Sequence, residues 1–244
     1  MHVSIVYILV FLSSYLIGSI PFSWIVTKLK TGEDIRKIGS GNVGGRNVYR
    51  ATKSSRWAYF AGFLDVSRSV TAVILPYFLA NILYFSKNGG HILIYPFIDI
   101  RWCLCLTVAG MGAILGHNWP LYLLSAGGKG ITVVLASLIF ANPILLGFWI
   151  VLWPVIITII GYSSITYIVV TALVGVIGLF LPIYMLMPWA PCPLSLGLLL
   201  IGISLIMLSR QKENFQKIRS GEAKKMKIWK AVFGKKKMSE EILK

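Results

Sequence analysis

"ITVVLASLIFANPILLGFWIVLWPVIITIIGYSS", residues 131–164, contains no Asp, Glu, Lys or Arg, and the uncharged run continues to Ser209. A soluble core needs no such run, whereas a bilayer needs about 20 apolar residues per crossing of its roughly 30 Å hydrocarbon layer. Asn142-Pro143, Gly161 to Ser164 and Pro188 to Pro193 interrupt it with turn-forming residues. The apolar pieces are therefore 131–141, 144–160, 165–187 and 194–209. Upstream, Val3 to Thr27 and Trp102 to Gly128 are equally free of those charges, and 57–85 is a further apolar stretch. The chain as a whole is 57% hydrophobic and only 13% charged, which sets aside a soluble all-helical core. The expected fold is an all-α integral membrane protein of about seven transmembrane helices, joined by cytoplasmic Gly-rich loops that form the site. Residues 131–141 are too few to span alone and require protein cover, because lipid cannot satisfy backbone polar groups.

Charge sets the expected orientation. With seven crossings, the Lys and Arg residues fall as eight in 28–56, one in 126–130 and twelve in 210–244 on one face, against two in 86–101 on the other. The positive-inside rule makes the richer face cytoplasmic, so the N-terminus is external and the tail and site are cytoplasmic, in a multi-pass protein of the cell membrane. The net charge of +16 then reads as attraction to anionic membrane lipid, and no nucleic-acid partner is expected. The first span does not read as a cleavable signal, since Met1-His2-Val3 lacks a basic region and Lys28 follows the apolar run. Residues 1–210 form one polytopic membrane domain, and 211–244 form a basic tail whose start contributes to the site. Within the tail, "KKMKIWKAVF" (224–233) sets Met226, Trp229, Val232 and Phe233 near one helical face, suited to the headgroup layer. Cys103, Cys105 and Cys192 show no metal spacing; the topology puts them near the outer surface, where Cys192 pairing with Cys103 or Cys105 is a minor alternative to free thiols.

Three polar clusters fall on the cytoplasmic side. "GSGNVGGRNVYR" (39–50) follows "DIRK" (34–37) and crowds Gly39, Gly41, Gly44, Ser40, Asn42, Asn47, Arg46 and Arg50 together. Glycines let successive N–H groups approach one anion, and the arginine forks suit phosphate or carboxylate. The second cluster joins "GHNWP" (116–120) to "GGKG" (127–130). Gly127, Gly128 and Gly130 bracket Lys129 just before an apolar helix, so backbone donors, a helix N-terminus and a point charge coincide. Lys129 is the only Lys or Arg between Trp102 and Ser209. His117 and Asn118 stand beside it, the histidine as a base, a ligand or a hydrogen-bonded helix-end residue. The third cluster, "RQKENFQKIRSGE" (210–222), offers Gln211, Asn214, Lys217 and Glu222. Inside the second span, Asp65 and Arg68 at i,i+3 compensate each other as a structural pair that organises the site.

Several chemistries drop out. The spacing of GGKG is not that of a P-loop. Neither a DDxxD pair, a DxxDG-type array nor G-x-S-x-G is present, and with His2, His91 and His117 as the only histidines no metal cluster and no cofactor is expected. What remains is an enzyme or carrier that handles an anion with fixed cationic and amide groups.

In order along residues 18 to about 222, "GSIPFSW" (18–24), "DIRKIGSGNVGGRNVYR" (34–50), "GHNWPLYL" (116–123), "GGKG" (127–130) and the tail's "ENF" with Gly221-Glu222 resemble the PlsY family of acyl-phosphate:glycerol-3-phosphate acyltransferases. The resemblance implies a seven-span membrane enzyme that transfers an acyl group from acyl phosphate to glycerol 3-phosphate. Its products are 1-acylglycerol 3-phosphate and phosphate, which open phospholipid synthesis. The positions matching Ser40, Asn47 and Arg50 belong to the family's glycine-rich site motif, Lys129 to its GGKG lysine and Asn214 to the asparagine of its last motif. Lys129, Ser40, Arg50 and Asn214 are accordingly the expected catalytic residues. Substrate or phosphate contacts are expected from the glycines, Asn42, Arg46, Asn47, His117, Asn118 and Gln211, with Asp65, Arg68 and Glu222 in support.

This chain also departs from that pattern. Arg46 replaces a small hydroxyl residue, Arg68 a lysine, Gln211 a histidine and Gly161 an arginine. Two cationic or titratable groups are lost and one is gained, so the pocket is expected to persist with an altered donor or acceptor. A relative acting on another phosphate-bearing alcohol or donor is the alternative, as is a non-catalytic anion- or lipid-binding or transport protein. Gathering of the basic motifs on one face favours the enzyme over a transporter.

Overall fold

The computed structural model describes residues 2–80, 100–124, 127–180, 193–223 and 225. Among these residues every regular element is helical. In chain order they are α1 (Val3–Gly18), α2 (Phe22–Thr31), α3 (Gly45–Thr52), α4 (Ser55–Ala80), α5 (Ile100–Asn118), α6 (Ile131–Ala141), α7 (Pro143–Ile160), α8 (Ser163–Phe180), α9 (Pro193–Ser209) and α10 (Lys212–Arg219). Four segments are long and apolar enough to cross a membrane: Val3–Thr31 taken through its break, α4, α7 and α8. The pair α9 and α10, bent by 58°, makes a fifth if counted as one span.

The expected span 3–27 is interrupted. Pro21 has no N–H to continue the ladder, and the turn closes instead with Ser19 N–H on Tyr15 and Leu16 carbonyls. After the break α2 runs on to a C-cap at Gly32 with φ +72°. The expected span 102–125 also stops early, at Asn118. Pro120 cannot extend the helix, and Leu121–Leu123 form a 3-10 turn that ends at Leu124, which is 89% exposed. Apolar composition alone concealed that these residues belong to a surface loop.

Helix α6 has 11 residues, about 16 Å of rise, and it is covered as expected. Val133, Val134, Ala136, Ser137 and Leu138 are all fully buried by neighbouring helices. Asn142 separates it from α7; its extended backbone ends one helix, and its side chain accepts the Leu145 N–H at 3.0 Å to cap the next.

The tightest helix contact is α1 against α5. A Cβ on Gly112 would lie 2.5 Å from the Phe11 carbonyl, and one on Gly116 2.2 Å from that of Tyr15. Their four-residue spacing lets the two backbones touch, the way small residues drive helix association in lipid. This contact fixes the end of α5, from which the second polar cluster departs. Cys105 is a buried free thiol, whereas the pairing considered for Cys192, and the amphipathic reading of 224–233, lie outside the described residues apart from Lys225.

Candidate active site

The first polar cluster is a loop held in shape by its own side chains. Asp34 caps the 3-10 turn Ile35–Lys37 by accepting the Arg36 N–H at 2.9 Å, and it takes the Arg36 guanidinium at 2.5 to 3.0 Å. These bonds hold the Asp34 carboxyl at about 2. Arg36 also donates to the Leu123 carbonyl at 3.2 Å, tying this loop to the second cluster. Gly39 and Gly41 have φ of +57° and +67°, backbone that a side-chain-bearing residue adopts only with strain. Asn47 is the loop's centre. It is 1% exposed, donates to the Ile38 and Asn42 carbonyls at 2.9 and 3.0 Å, and accepts from Arg50 Nη1 at 2.7 Å. Both its N–H bonds are thus committed to the loop, which makes it a shaper of the site more than a ligand contact. Ser40 leans on the same oxygen through long contacts of 3.4 and 3.5 Å.

In the second cluster the glycines do something other than expected. Gly127 and Gly128 donate their N–H groups to the Asn118 and His117 carbonyls at 2.9 and 3.0 Å. The last carbonyls of α5 need donors, and these two N–H groups satisfy them instead of facing an anion. Close packing explains the absence of side chains. A Cβ on Gly128 would sit 2.0 Å from His117 Nε2, and one on Gly130 2.1 Å from Ile114 Cδ1. What the loop presents is Lys129, whose Nζ donates to Ser164 Oγ at 3.3 Å. Asn118, expected at the ligand, is fully buried and lines neither of the two large cavities described below, because its position at the end of α5 turns it into the helix packing.

Asp65 and Arg68 do not form a self-contained pair. Their closest charged atoms are 3.9 Å apart, and each has nearer partners. Ser23 Oγ donates to Asp65 at 2.5 Å; Arg68 donates to the Gly18 carbonyl and to His117 Nδ1. A guanidinium can only donate, so Nδ1 of His117 accepts and its proton is assigned to Nε2. That removes His117 from the role of base. Ser69, next to Arg68, adds a 3.0 Å bond to Thr132 at the start of α6. The network therefore joins α1, α2, α4, α5 and α6 beneath the Lys129 loop.

Helix α10 closes the site. Gln211 is buried and accepts from Asn214 Nδ2, while Arg210 lies over the Trp119 ring at 5.6 Å. A cavity of about 490 Å³ is lined by Arg36, Lys129, Arg210, Lys212, Glu213 and Asn214, among others. Beside it a second, of about 390 Å³, meets Arg46, Arg50, Asp65, His117 and Gln211, together with the less polar Ile131, Tyr167 and Met207. Ser40, Asn42, Lys129 and Asn214 line both. Partial burial brings the Lys129 ammonium down to about 8; Glu213 opposes that shift, and Lys217, Arg210 and Arg46 add to it.

The profile of the glycerol-3-phosphate acyltransferase family matches residues 8–221. The chain belongs to the glycerol-3-phosphate acyltransferase family. A relative of that name from Pelagibacter ubique (strain HTCC1062) is 32% identical over 223 residues, covering 91% of this chain and 99% of the relative. Another, from Ehrlichia chaffeensis (strain ATCC CRL-10679 / Arkansas), is 30% identical over 223 residues, covering 91% and 98%. Among solved structures, the glycerol 3-phosphate form of PlsY (YgiH), an integral membrane glycerol 3-phosphate acyltransferase, superposes with a TM-score of 0.65 at 25% identity, covering 93% of this chain and 98% of that one. This member of the glycerol-3-phosphate acyltransferase family is thus an integral membrane protein.

Several side chains at the site were not singled out from sequence, among them Arg36, Arg210 and Lys212 on the wall of the first cavity. Glu213 is the acidic residue lining the first cavity, and Glu222, expected in support, is exposed and lines neither. Ser164 and Tyr167 arrive from α8, a segment whose sequence reads as plain membrane helix. Lys225 also bears on the departure at Gly161: its stem packs over that glycine, and its Nζ lies 5.8 Å from the Tyr162 ring centroid, returning a cation to the neighbourhood.

Proposed function

We propose that this family member transfers an acyl group from acyl phosphate to a hydroxyl of glycerol 3-phosphate at the cytoplasmic surface of the cell membrane. The observation that carries the reading is the pair of adjoining cavities with Lys129 on their common wall. One is ringed by cations and suits a small phosphate-bearing alcohol; the other adds Ile131, Tyr167 and Met207 and suits the start of an acyl chain. Each substrate then meets the other at Ser40, Asn42, Lys129 and Asn214.

The chemistry needs little else. Acyl phosphate is already activated, so the acceptor oxygen attacks the carbonyl carbon, the carbon–oxygen bond to phosphate breaks, and phosphate departs. Lys129 and Arg46 would stabilise the oxyanion and the leaving group. His117 holds its lone pair toward Arg68 and is no base. A phosphate oxygen of the donor takes the acceptor's proton, and the products are 1-acylglycerol 3-phosphate and inorganic phosphate. Glu213 supplies an acceptor for a glycerol hydroxyl amid the cations. In this scheme Ser40, Arg50 and Asn214 orient substrate around Lys129.

Phosphate release from palmitoyl phosphate by the purified protein tests the reading. Release that requires glycerol 3-phosphate and yields 1-acylglycerol 3-phosphate is the expected result. Release that another phosphate-bearing alcohol supports in its place would move the chain to the alternative acceptor class, and no release would remove the enzyme reading.

Arg46 should show in two measurements. Because Arg46 lines the second cavity, Arg46→Thr is expected to raise KM for acyl phosphate by about 3- to 10-fold, the scale of one charge-assisted hydrogen bond. Because the Arg46 charge lowers Lys129, its loss should also move the alkaline limb of kcat/KM to higher pH. Unchanged kinetics and pH profile would mean that Arg46 serves only the solvent-facing surface. For orientation, single-cysteine labelling in a cysteine-free background should find position 2 externally accessible and position 236 cytoplasmic; the reverse would put the basic motifs on the wrong face.

A further inference from the structure

A third hollow, of about 520 Å³, lies outside the two cavities, in the groove between α3 and the first turns of α4. Its walls are Arg46, Tyr49, Arg50, Ser55, Ala58 and Tyr59, with Gly45 at its base. Arg46 and Arg50, one helical turn apart on α3, line both this groove and the second cavity. Arg46 and Arg50 therefore belong to the walls of both hollows, with the Arg50 guanidinium also bonded to Asn47.

The groove opens beside an apolar helix. Helix α4 is one of the membrane-crossing helices, and the groove sits at its beginning, where interfacial tyrosines gather. Tyr59 is 79% exposed and Tyr49 50% exposed. Phe63, four residues after Tyr59 and so on the same helix face, is 67% exposed. Positive forks at the top and an apolar aromatic strip running inward complement a molecule with a phosphate head and a single chain.

We propose that this groove is an outer docking site for a single-chain membrane lipid with a terminal phosphate, and the lateral route by which such a lipid passes to and from the second cavity over Arg46 and Arg50. It rests on the proposed reaction, whose donor and lipid product both have that form. The head would exchange between the two faces of the same guanidinium groups without first entering bulk water. The chain would stay along Tyr59 and Phe63.

Binding without turnover tests it. Dissociation constants for dodecyl phosphate and for inorganic phosphate would be measured on the full chain in neutral detergent, for wild type, Tyr59→Ala and Tyr59→Phe. Tyr59→Ala is expected to weaken dodecyl phosphate by about tenfold, the scale of one lost aromatic contact, and Tyr59→Phe to retain it. Inorganic phosphate, which has a head and no chain, should bind all three alike. Equal affinity of all three proteins for dodecyl phosphate would overturn the proposal. So would a parallel loss of both ligands in Tyr59→Ala at an unchanged thermal midpoint, since the effect would then not lie with the chain; if the midpoint falls, Phe63→Ala takes the place of Tyr59→Ala. Acyl transfer plays no part in the assay, so this inference and the acyltransferase reading fail separately.

Discussion

Lys129→Ala is expected to lower kcat by about 100-fold or more, roughly 3 kcal/mol of lost transition-state stabilisation. The ammonium lies on the wall common to both cavities, where charge would grow on the carbonyl oxygen and the departing phosphate. Arg46, Arg210 and Lys217 are close enough to influence it electrostatically, yet they approach from other elements, and Lys129 is the cation that the loop itself presents. Lys129→Arg should rescue only in part, because a planar fork does not occupy the place of a compact ammonium. The pH profile supplies an independent check. With Lys129 at about 8, its charged form is present below that value and is lost as pH rises through it. The free-enzyme profile, kcat/KM for glycerol 3-phosphate, should therefore fall above about pH 8 in the wild type, and Lys129→Arg should abolish that limb. Wild-type turnover by Lys129→Ala would reduce the residue to a membrane-surface anchor and the proposed mechanism would have to be abandoned.

Arg68→Ala should carry the largest cost in stability, about 3–5 kcal/mol, the scale of removing one partner from a buried charged network. It would strand Asp65, the Gly18 carbonyl and His117 Nδ1 together, each within the buried centre of the helix bundle. Arg68→Met combined with Asp65→Asn should be milder than Arg68→Ala, since it removes both charges and keeps most of the volume. Thermal unfolding in detergent compares them. Because His117 packs against Gly128, any Arg68→Ala protein that remains folded should also lose kcat while its KM for glycerol 3-phosphate changes little. An Arg68→Ala protein that unfolds with the wild-type midpoint and turns over normally would show that the network is dispensable.

Residues 131–209 made the membrane class legible because an uncharged run of that length has one stable solvent, and the crowding of glycine, arginine and asparagine in 39–50 marked a candidate site because such residues are costly among apolar spans. Lys129 could be singled out because no other Lys or Arg lies within the long stretch around it. These are properties of composition and local order, and they survive without knowledge of contacts. Partnership is different. From spacing alone Asp65 and Arg68 compensate each other, but helix packing brings Ser23, Gly18 and His117 nearer than the i,i+3 neighbour. The amides of Gly127 and Gly128 look available to an anion until the end of α5 arrives and takes them. Ser164 and Tyr167 carry no local signal, and only the fold of α8 against the loops delivers them to Lys129 and the second cavity. The sequence by itself determined the membrane class and where the charged loops lie, since both follow from transfer of each segment into lipid. Which donor meets which acceptor was decided by tertiary structure alone, because hydrogen bonds reach about 3 Å and a chain brings residues that far apart in order to within 3 Å only by packing.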